Sequence, residues 1–360
     1  MDLSVVHENY VEFAKNFHNA HIYYAVKANP AAEVLSTLHG AGANFEVASV
    51  PELLECLAVG AHPGDIAYTN PIKKRDDIGK AYALGVRAFT TDSAPDLANI
   101  AQVAPGSSVT CRVAVTPPGA RSPLGNKFGC SQDMAAALLR EAARLGLRPE
   151  GVAFHPGSQQ LNPHAWDTGI ELSAQIFAEL AAEGIELNSL NLGGGFPVRY
   201  IEPVPPISAY VAAIDGALDR HFSAGIPAIR VEPGRAIVAT AGVLISEVVL
   251  VAKKAASDTH RWVYLDVGRY GGLAETEQEM IAYQLVTGHD GPNGPVILAG
   301  PTCDGDDVLY RKTPYSLPLA LRQGDQVRFL GAGAYTASYA SVFFNGFSPM
   351  ATYYIPSQSD

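Results

Sequence analysis

A chain of 360 residues, 48% hydrophobic and 17% charged, can bury a barrel-sized core and is too apolar to remain disordered. Its net charge of -11 argues against nucleic acid or an anionic membrane as partner, because both select basic surfaces. Four scattered cysteines without C-x-x-C spacing, no apolar run of about 18 residues and a start lacking signal-peptide regions point to a reduced, cytoplasmic protein that neither spans a membrane nor carries a structural metal.

Residues 3–17 repeat apolar side chains at helical spacing and lead into Tyr23-Tyr24-Ala25-Val26-Lys27-Ala28-Asn29-Pro30, a β-type run that ends on one lysine. An ammonium at the end of a buried strand is costly unless it has a task, so Lys27 is a candidate Schiff-base nucleophile; a strand-end lysine with its head in solvent is the structural alternative. Strand and helix then alternate. The β-rich runs are 21–27, 44–49, 65–70, 88–92, 109–115, 151–156, 189–193 and 228–232. Amphipathic stretches at 34–38, 52–59, 77–84, 95–103, 134–145, 166–182 and 207–222 lie between them. Eight such strands with helical returns predict a (β/α)8 TIM-like barrel over residues 1–236.

Lys27, Glu46, Asn70, Asp92, His155, Gly193-Gly194-Gly195 and Glu232 all fall at or near the C-terminal ends of these strands, the face on which barrel enzymes build their sites. The glycine run lets backbone N–H groups approach a phosphate, although a bare tight turn explains it as well. In Glu232-Pro233-Gly234-Arg235 a carboxylate precedes an arginine, suited to a ring nitrogen and a phosphate, or to a rim salt bridge. His155-Pro156-Gly157-Ser158-Gln159 offers an imidazole that can stack on a planar cofactor and a hydroxyl that can meet a phosphate; a hydrogen-bonded core histidine is the alternative.

Beyond Arg235 the texture changes to β-rich runs at 243–252, 261–267, 295–300, 326–330, 341–344 and 352–355, separated by Gly, Pro and Asp clusters. This predicts a mostly antiparallel β domain over residues 237–360. It contains Asp266, which could meet a substrate ammonium or cap a turn, Cys303 beside Asp304, Asp306 and Asp307, and Tyr335 in a glycine-rich turn.

Taken in order, YYAVKANP, KFG at Lys127–Gly129, the His155–Gln159 segment, LGGGFP, EPGR, YLDVGRYGGL, GPTCD, GAYT and FNGF resemble the fold-type III (alanine racemase-like) pyridoxal-phosphate decarboxylases, the bacterial ornithine/lysine group above all. The resemblance implies that Lys27 binds pyridoxal 5'-phosphate covalently, beside Glu46, and that His155 stacks on its ring. It implies that Ser158, Gly193, Gly194, Gly195, Gly234, Arg235 and Tyr335 hold the phosphate and that Glu232 pairs with the ring nitrogen. It further implies a homodimer with shared active sites, in which Cys303 returns a proton to Cα and Asp304, with Asp266, meets the distal amine of an amino-acid substrate. The expected reaction is decarboxylation of L-ornithine, with L-lysine next. The alternatives are a D-amino or conjugated substrate, an amino-acid racemase and a non-catalytic regulator. Departures from the family pattern are Glu46 where aspartate is typical, Pro156 after the histidine, the Asp306-Asp307 pair, and a start too late to supply the whole N-terminal strand.

Overall fold

The computed structural model describes residues 1–122, 127–223 and 225–356. Eight strands close into a parallel barrel in chain order: β1 Ala20–Ala25, β2 Asn44–Val47, β3 Ile66–Tyr68, β4 Ala88–Thr91, β5 Ser108–Arg112, β6 Arg148–Ala153, β7 Ser189–Asn191 and β8 Ala228–Val231, with β8 paired back to β1. The α-helices of nine or more residues among the described residues are α1 Leu3–Asn16, α2 Ala32–Gly40, α3 Val50–Ala58, α4 Arg75–Ala83, α5 Ala94–Val103, α6 Gln132–Arg144, α7 Asp167–Ala182 and α8 Ile207–His221. The expected alternation is therefore present, with each helix longer or shorter than its apolar stripe by a few residues.

Local chemistry sets these boundaries. At the start of α3, Ser49 Oγ accepts from Glu52 N while Glu52 Oε2 accepts from Ala48 N, a reciprocal cap reinforced by Pro51 in the first turn. Where β6 runs beside β7, a Cβ on Gly151 would lie 1.7 Å from Ser189 O, so only glycine lets the two backbones approach. Tyr24, Phe45, Phe89, Leu190 and Val231 are fully or almost fully buried, with Leu35, Leu38 and Leu53 from the helices. A short antiparallel ribbon, Ala120–Ser122 with Ser158–Gln160, emerges above the barrel strands.

Cα proximity divides the chain into two compact units. The barrel unit comprises His7–Pro197 and Val204–Ile237; the other gathers Met1–Val6, Val198–Pro203 and Val238–Asp360. This second unit contains one six-stranded sheet built from β9 Val243–Ala252, β10 Arg261–Leu265, β11 Gln284–Thr287, β12 Asn293–Ala299, β13 Tyr315–Pro318 and β14 Gln326–Leu330. Their order is β11-β14-β9-β10-β12-β13, and every neighbouring pair is antiparallel except β10 with β12. The fold is thus the barrel plus mostly antiparallel β domain expected from the sequence.

Two expected runs are not strands of this sheet. Residues 341–344 hold Val342 and Phe343 exposed, and Phe343 and Asn345 have positive φ, which interrupts an extended backbone. Residues 352–355 contribute only an isolated bridge from Ile355 to Asp2, so the first residues pair with the chain's other end within the same unit. In their place are β11, only four residues long, and β13, whose terminal Pro318 is tolerated because β13 is an edge strand.

Candidate active site

Lys27 lies in a 3-10 turn, Val26–Ala28, immediately beyond β1 rather than inside the strand. Its Nζ is 2.8 Å from Glu46 Oε2 on β2; the lysine side chain is 44% exposed whereas the glutamate is buried. Thr69 Oγ1, just past β3, donates to the other Glu46 oxygen. The longer side chain at position 46 therefore reaches the amine directly, while the hydroxyl satisfies the oxygen facing away from it.

Glu232 follows β8, and Asn191 at the end of β7 donates from Nδ2 to its Oε1 at 2.6 Å. Part of Glu232's surface stays open, yet the surrounding barrel mouth removes enough water from the carboxyl to dominate its ionisation. Burial first, and then the neighbouring Glu46 charge, push its pKa up to about 7 against the pull of Lys27, Asn191 and Arg112. Arg112, on β5, is held below its ordinary value by burial and steadied by the charges of Glu232, Glu46 and Asp92. Its guanidinium lies over the ring of Phe128 in the KFG segment, and Gly129 N donates to Asp92 Oδ2 at 2.8 Å.

His155 stands two residues beyond β6, with Nδ1 accepting from Gly157 N at 3.0 Å. Burial, assisted by the positive charges of Arg112 and Lys27, keeps the imidazole well below its usual pKa, so it is a neutral ring with its proton on Nε2. Pro156 does remove a backbone donor here, but its carbonyl accepts from Gln160 Nε2 and fixes the turn.

The next layer surrounds the glycine run. Gln160 N donates to Gly195 O, tying the Ser158–Gln160 ribbon to the turn after β7. A Cβ on Gly194 would lie 2.3 Å from Glu232 O, so the backbones following β7 and β8 can touch only without a side chain there. Gly234 precedes Arg235, whose buried guanidinium donates from Nη2 to Ser158 Oγ at 3.3 Å. A buried guanidinium beside a hydroxyl and close-packed glycine backbone suits a phosphate dianion. With an amine, a near-neutral carboxyl and an uncharged imidazole on the same barrel mouth, the donor set fits pyridoxal phosphate.

The structure therefore places Lys27, Glu46, His155, Ser158, Gly193, Gly194, Gly195, Glu232, Gly234 and Arg235 together at one end of the barrel. Asn191, Arg112 and Thr69 join them, although the sequence reading did not single them out. Asn191 closes its strand two residues before the glycine run, and an uncharged amide there leaves no charge signal in the sequence.

In the β unit, Cys303 and Asp304 are exposed. Asn345 Oδ1 accepts from Cys303 N at 3.0 Å and from its Sγ at 3.5 Å, and Tyr270 OH donates to Asp304 Oδ2. Asp307 points inward and accepts from Arg269 N, Thr302 N and Thr302 Oγ1, which pins this loop; Asp306 points outward. Asp266 Oδ1 accepts from Ser246 Oγ and Glu247 N, an anchor between β9 and β10, and borders a cavity of about 370 Å³ shared with Tyr270 and Thr302. Tyr335 has left-handed backbone, φ 53°, in its glycine-rich turn.

Comparison with known proteins adds independent findings. Residues 3–239 match the family model described as pyridoxal-dependent decarboxylase, pyridoxal binding domain. The chain is 34% identical over 346 residues to a lysine/ornithine decarboxylase of Selenomonas ruminantium, covering 96% of this chain and 86% of that one. It is 32% identical to an ornithine decarboxylase of Schizosaccharomyces pombe, covering 98% and 82% respectively. Its fold matches a lysine/ornithine decarboxylase from Vibrio vulnificus solved with cadaverine, with a TM-score of 0.89, 30% identity and coverage of 99% and 94%.

Proposed function

We propose that this chain, which belongs to the fold-type III pyridoxal-dependent decarboxylases of the ornithine/lysine group, removes the α-carboxylate of a basic amino acid as CO2, with L-ornithine ahead of L-lysine. The observation that carries this reading is the barrel mouth itself: the Lys27 amine on a buried Glu46, a near-neutral Glu232, and the Arg235–Ser158 pair. Relatives named ornithine decarboxylase and lysine/ornithine decarboxylase favour it over racemisation or a conjugated substrate.

Pyridoxal phosphate, when bound, supplies an aldehyde that condenses with amines and a ring that accepts the electron pair left on Cα as CO2 departs. Lys27 would hold the aldehyde carbon, Glu232 the ring nitrogen and His155 the ring face. Ser158, the three glycines, Gly234 and Arg235 would hold the phosphate. Glu46 fixes the direction of the Lys27 amine through their 2.8 Å ion pair. A neutral His155 presents an uncharged face and does not compete with Glu232 for the ring's positive charge.

The chain acts as a homodimer with shared sites. Cys303 of the partner subunit gives its thiol proton to Cα as the bond to CO2 breaks, forming the new C–H bond. Asp304 of the partner subunit pairs with the distal ammonium, which needs an opposite charge once desolvated. The exposure of Cys303 and Asp304, and of Val342 (68%) and Phe343 (62%) in the same unit, supports a face covered by a second copy. None of the helices among the described residues is long and apolar enough to cross a membrane. All four cysteines are thiols, consistent with a cytoplasmic setting.

The test is incubation of purified protein and pyridoxal phosphate with a panel of amino acids, following CO2 and amine. Ornithine and lysine should be consumed fastest. A Schiff-base absorbance without CO2 from any basic amino acid would overturn the substrate assignment, and covalent cofactor on Lys27→Ala would overturn the lysine assignment.

A further inference from the structure

The Asn191 amide is oriented without ambiguity, although amide oxygen and nitrogen are ordinarily interchangeable by shape. Its Oδ1 accepts from Gly193 N at 2.9 Å, and a backbone N–H can only donate. The NH2 end must therefore face Glu232, 2.6 Å from Oε1. An amide NH2 has no acceptor capacity, so Oε1 is committed to accepting and cannot direct a proton of its own toward Asn191.

We propose that Asn191 is a positioning residue that reserves Oε1 of Glu232 as an acceptor and so directs that carboxyl's exchangeable proton to Oε2. The proposal rests on the reading of Glu232 as the partner of the cofactor's ring nitrogen, and it names the atom through which the exchange occurs. Other groups facing the carboxyl act by charge. Lys27 beyond β1 and Arg112 on β5 favour the ionised form, and Glu46 on β2 opposes it. Neutral His155 beyond β6 lines the same small cavity, while Tyr23 on β1 and Arg230 on β8 lie on its other side. Asn191 alone among these contributes an uncharged, donor-only group bonded to a named oxygen and locked in direction by the glycine run.

Asn191→Asp is the discriminating substitution because it is nearly isosteric. Its first oxygen can still accept from Gly193 N, but its second would meet Oε1 as an acceptor against an acceptor. Two carboxylates at that separation bind a proton between them. The measurement is an infrared pH titration of the protonated-carboxyl C=O band in cofactor-free protein, with Glu232→Gln identifying the Glu232 band. Asn191→Asp should raise the Glu232 midpoint by about one pH unit or more, and Asn191→Ala, which removes the donor, should raise it less. In the loaded enzyme the pH profile of kcat should move in the same direction, with KM changing less.

Unchanged midpoints in both variants, with the band still lost in Glu232→Gln, would overturn the proposal. Asn191→Ala also serves if Asn191→Asp fails to fold. The titration needs neither cofactor nor substrate, so its outcome is separate from a failure of the amino-acid panel.

Discussion

Lys73 and Asp96 form the most deeply buried ion pair described in the barrel unit, and breaking it should be the costliest single polar change away from the reacting groups. Lys73 Nζ, with its side chain fully buried, donates to Asp96 Oδ2 at 2.8 Å, Thr90 O at 2.7 Å and Asn70 O at 3.0 Å, and so ties the loop that follows β3 to β4 and to the first turn of α5. Burial pushes the ammonium pKa down and the carboxyl pKa up, while each partner's charge opposes the other's shift. Lys73→Met fills the space but leaves Asp96 buried beside unpaired carbonyls. Removing one partner of a buried pair costs about 3–5 kcal/mol, a large part of the ~5–15 kcal/mol that stabilises a folded domain.

The loss should depend on pH. Without Lys73 the folded-state pKa of Asp96 stands above its unfolded value, so stability is retained below the unfolded pKa and lost as pH rises through the folded one. Urea unfolding followed by Trp166, buried in the barrel, in a Trp262→Phe background reads this unit alone. With m of about 3 kcal/mol/M, the midpoint should fall by roughly 1–1.7 M at pH 8 and by less at pH 5. The double variant Lys73→Met/Asp96→Leu should recover most of the loss, because an apolar pair replaces the ion pair without a stranded charge. A single variant within about 1 kcal/mol of wild type, or a double variant as unstable as the single one, would refute the reasoning.

His155 carries a second pH signature. Its depressed folded-state pKa means that stability is full above the unfolded value of about 6.5 and falls as pH drops through it, so His155→Gln should flatten the Tm–pH curve of cofactor-free protein between about pH 7.5 and 5.5. A shared dimer site predicts complementation: inactive Lys27→Ala mixed with inactive Cys303→Ala should regain about one quarter of wild-type sites, since half of the randomly formed dimers are mixed and each has one intact site. No recovery after verified subunit exchange would place both residues in one subunit's site.

Much of the barrel was legible because several strands are short apolar-rich runs followed within a residue or two by a polar group, and the helices between them carry a 3.6-residue stripe. Lys27, Glu46 and Glu232 stood out because a charge is conspicuous at the end of such a run. Asn191 and Arg112 did not: an amide carries no charge, Arg112 falls inside the run at 109–115 and not at its end, and both acquire meaning only when the barrel sets β5 to β8 in succession. The β domain was harder. Apolar residues at 341–344 and 352–355 read as core strands, but several are exposed, so hydrophobicity there marks a surface rather than a sheet. Conversely, β11 and β13 are too short to declare themselves without their partners. Nothing in the sequence distinguishes Asp306 from Asp307, because only the folded loop turns Asp307 inward to three donors.

The central claim is that the bond to the carboxylate breaks and that one proton replaces it at Cα. The most direct measurement is turnover of L-ornithine by the pyridoxal-phosphate-loaded protein in D2O, with CO2 quantified and the amine product analysed by mass spectrometry. The account predicts amine and CO2 in equal amounts, with one deuterium at the carbon that bore the carboxylate. D-ornithine recovered with its carboxylate intact and deuterium at Cα, with no amine formed, would contradict it and establish racemisation instead.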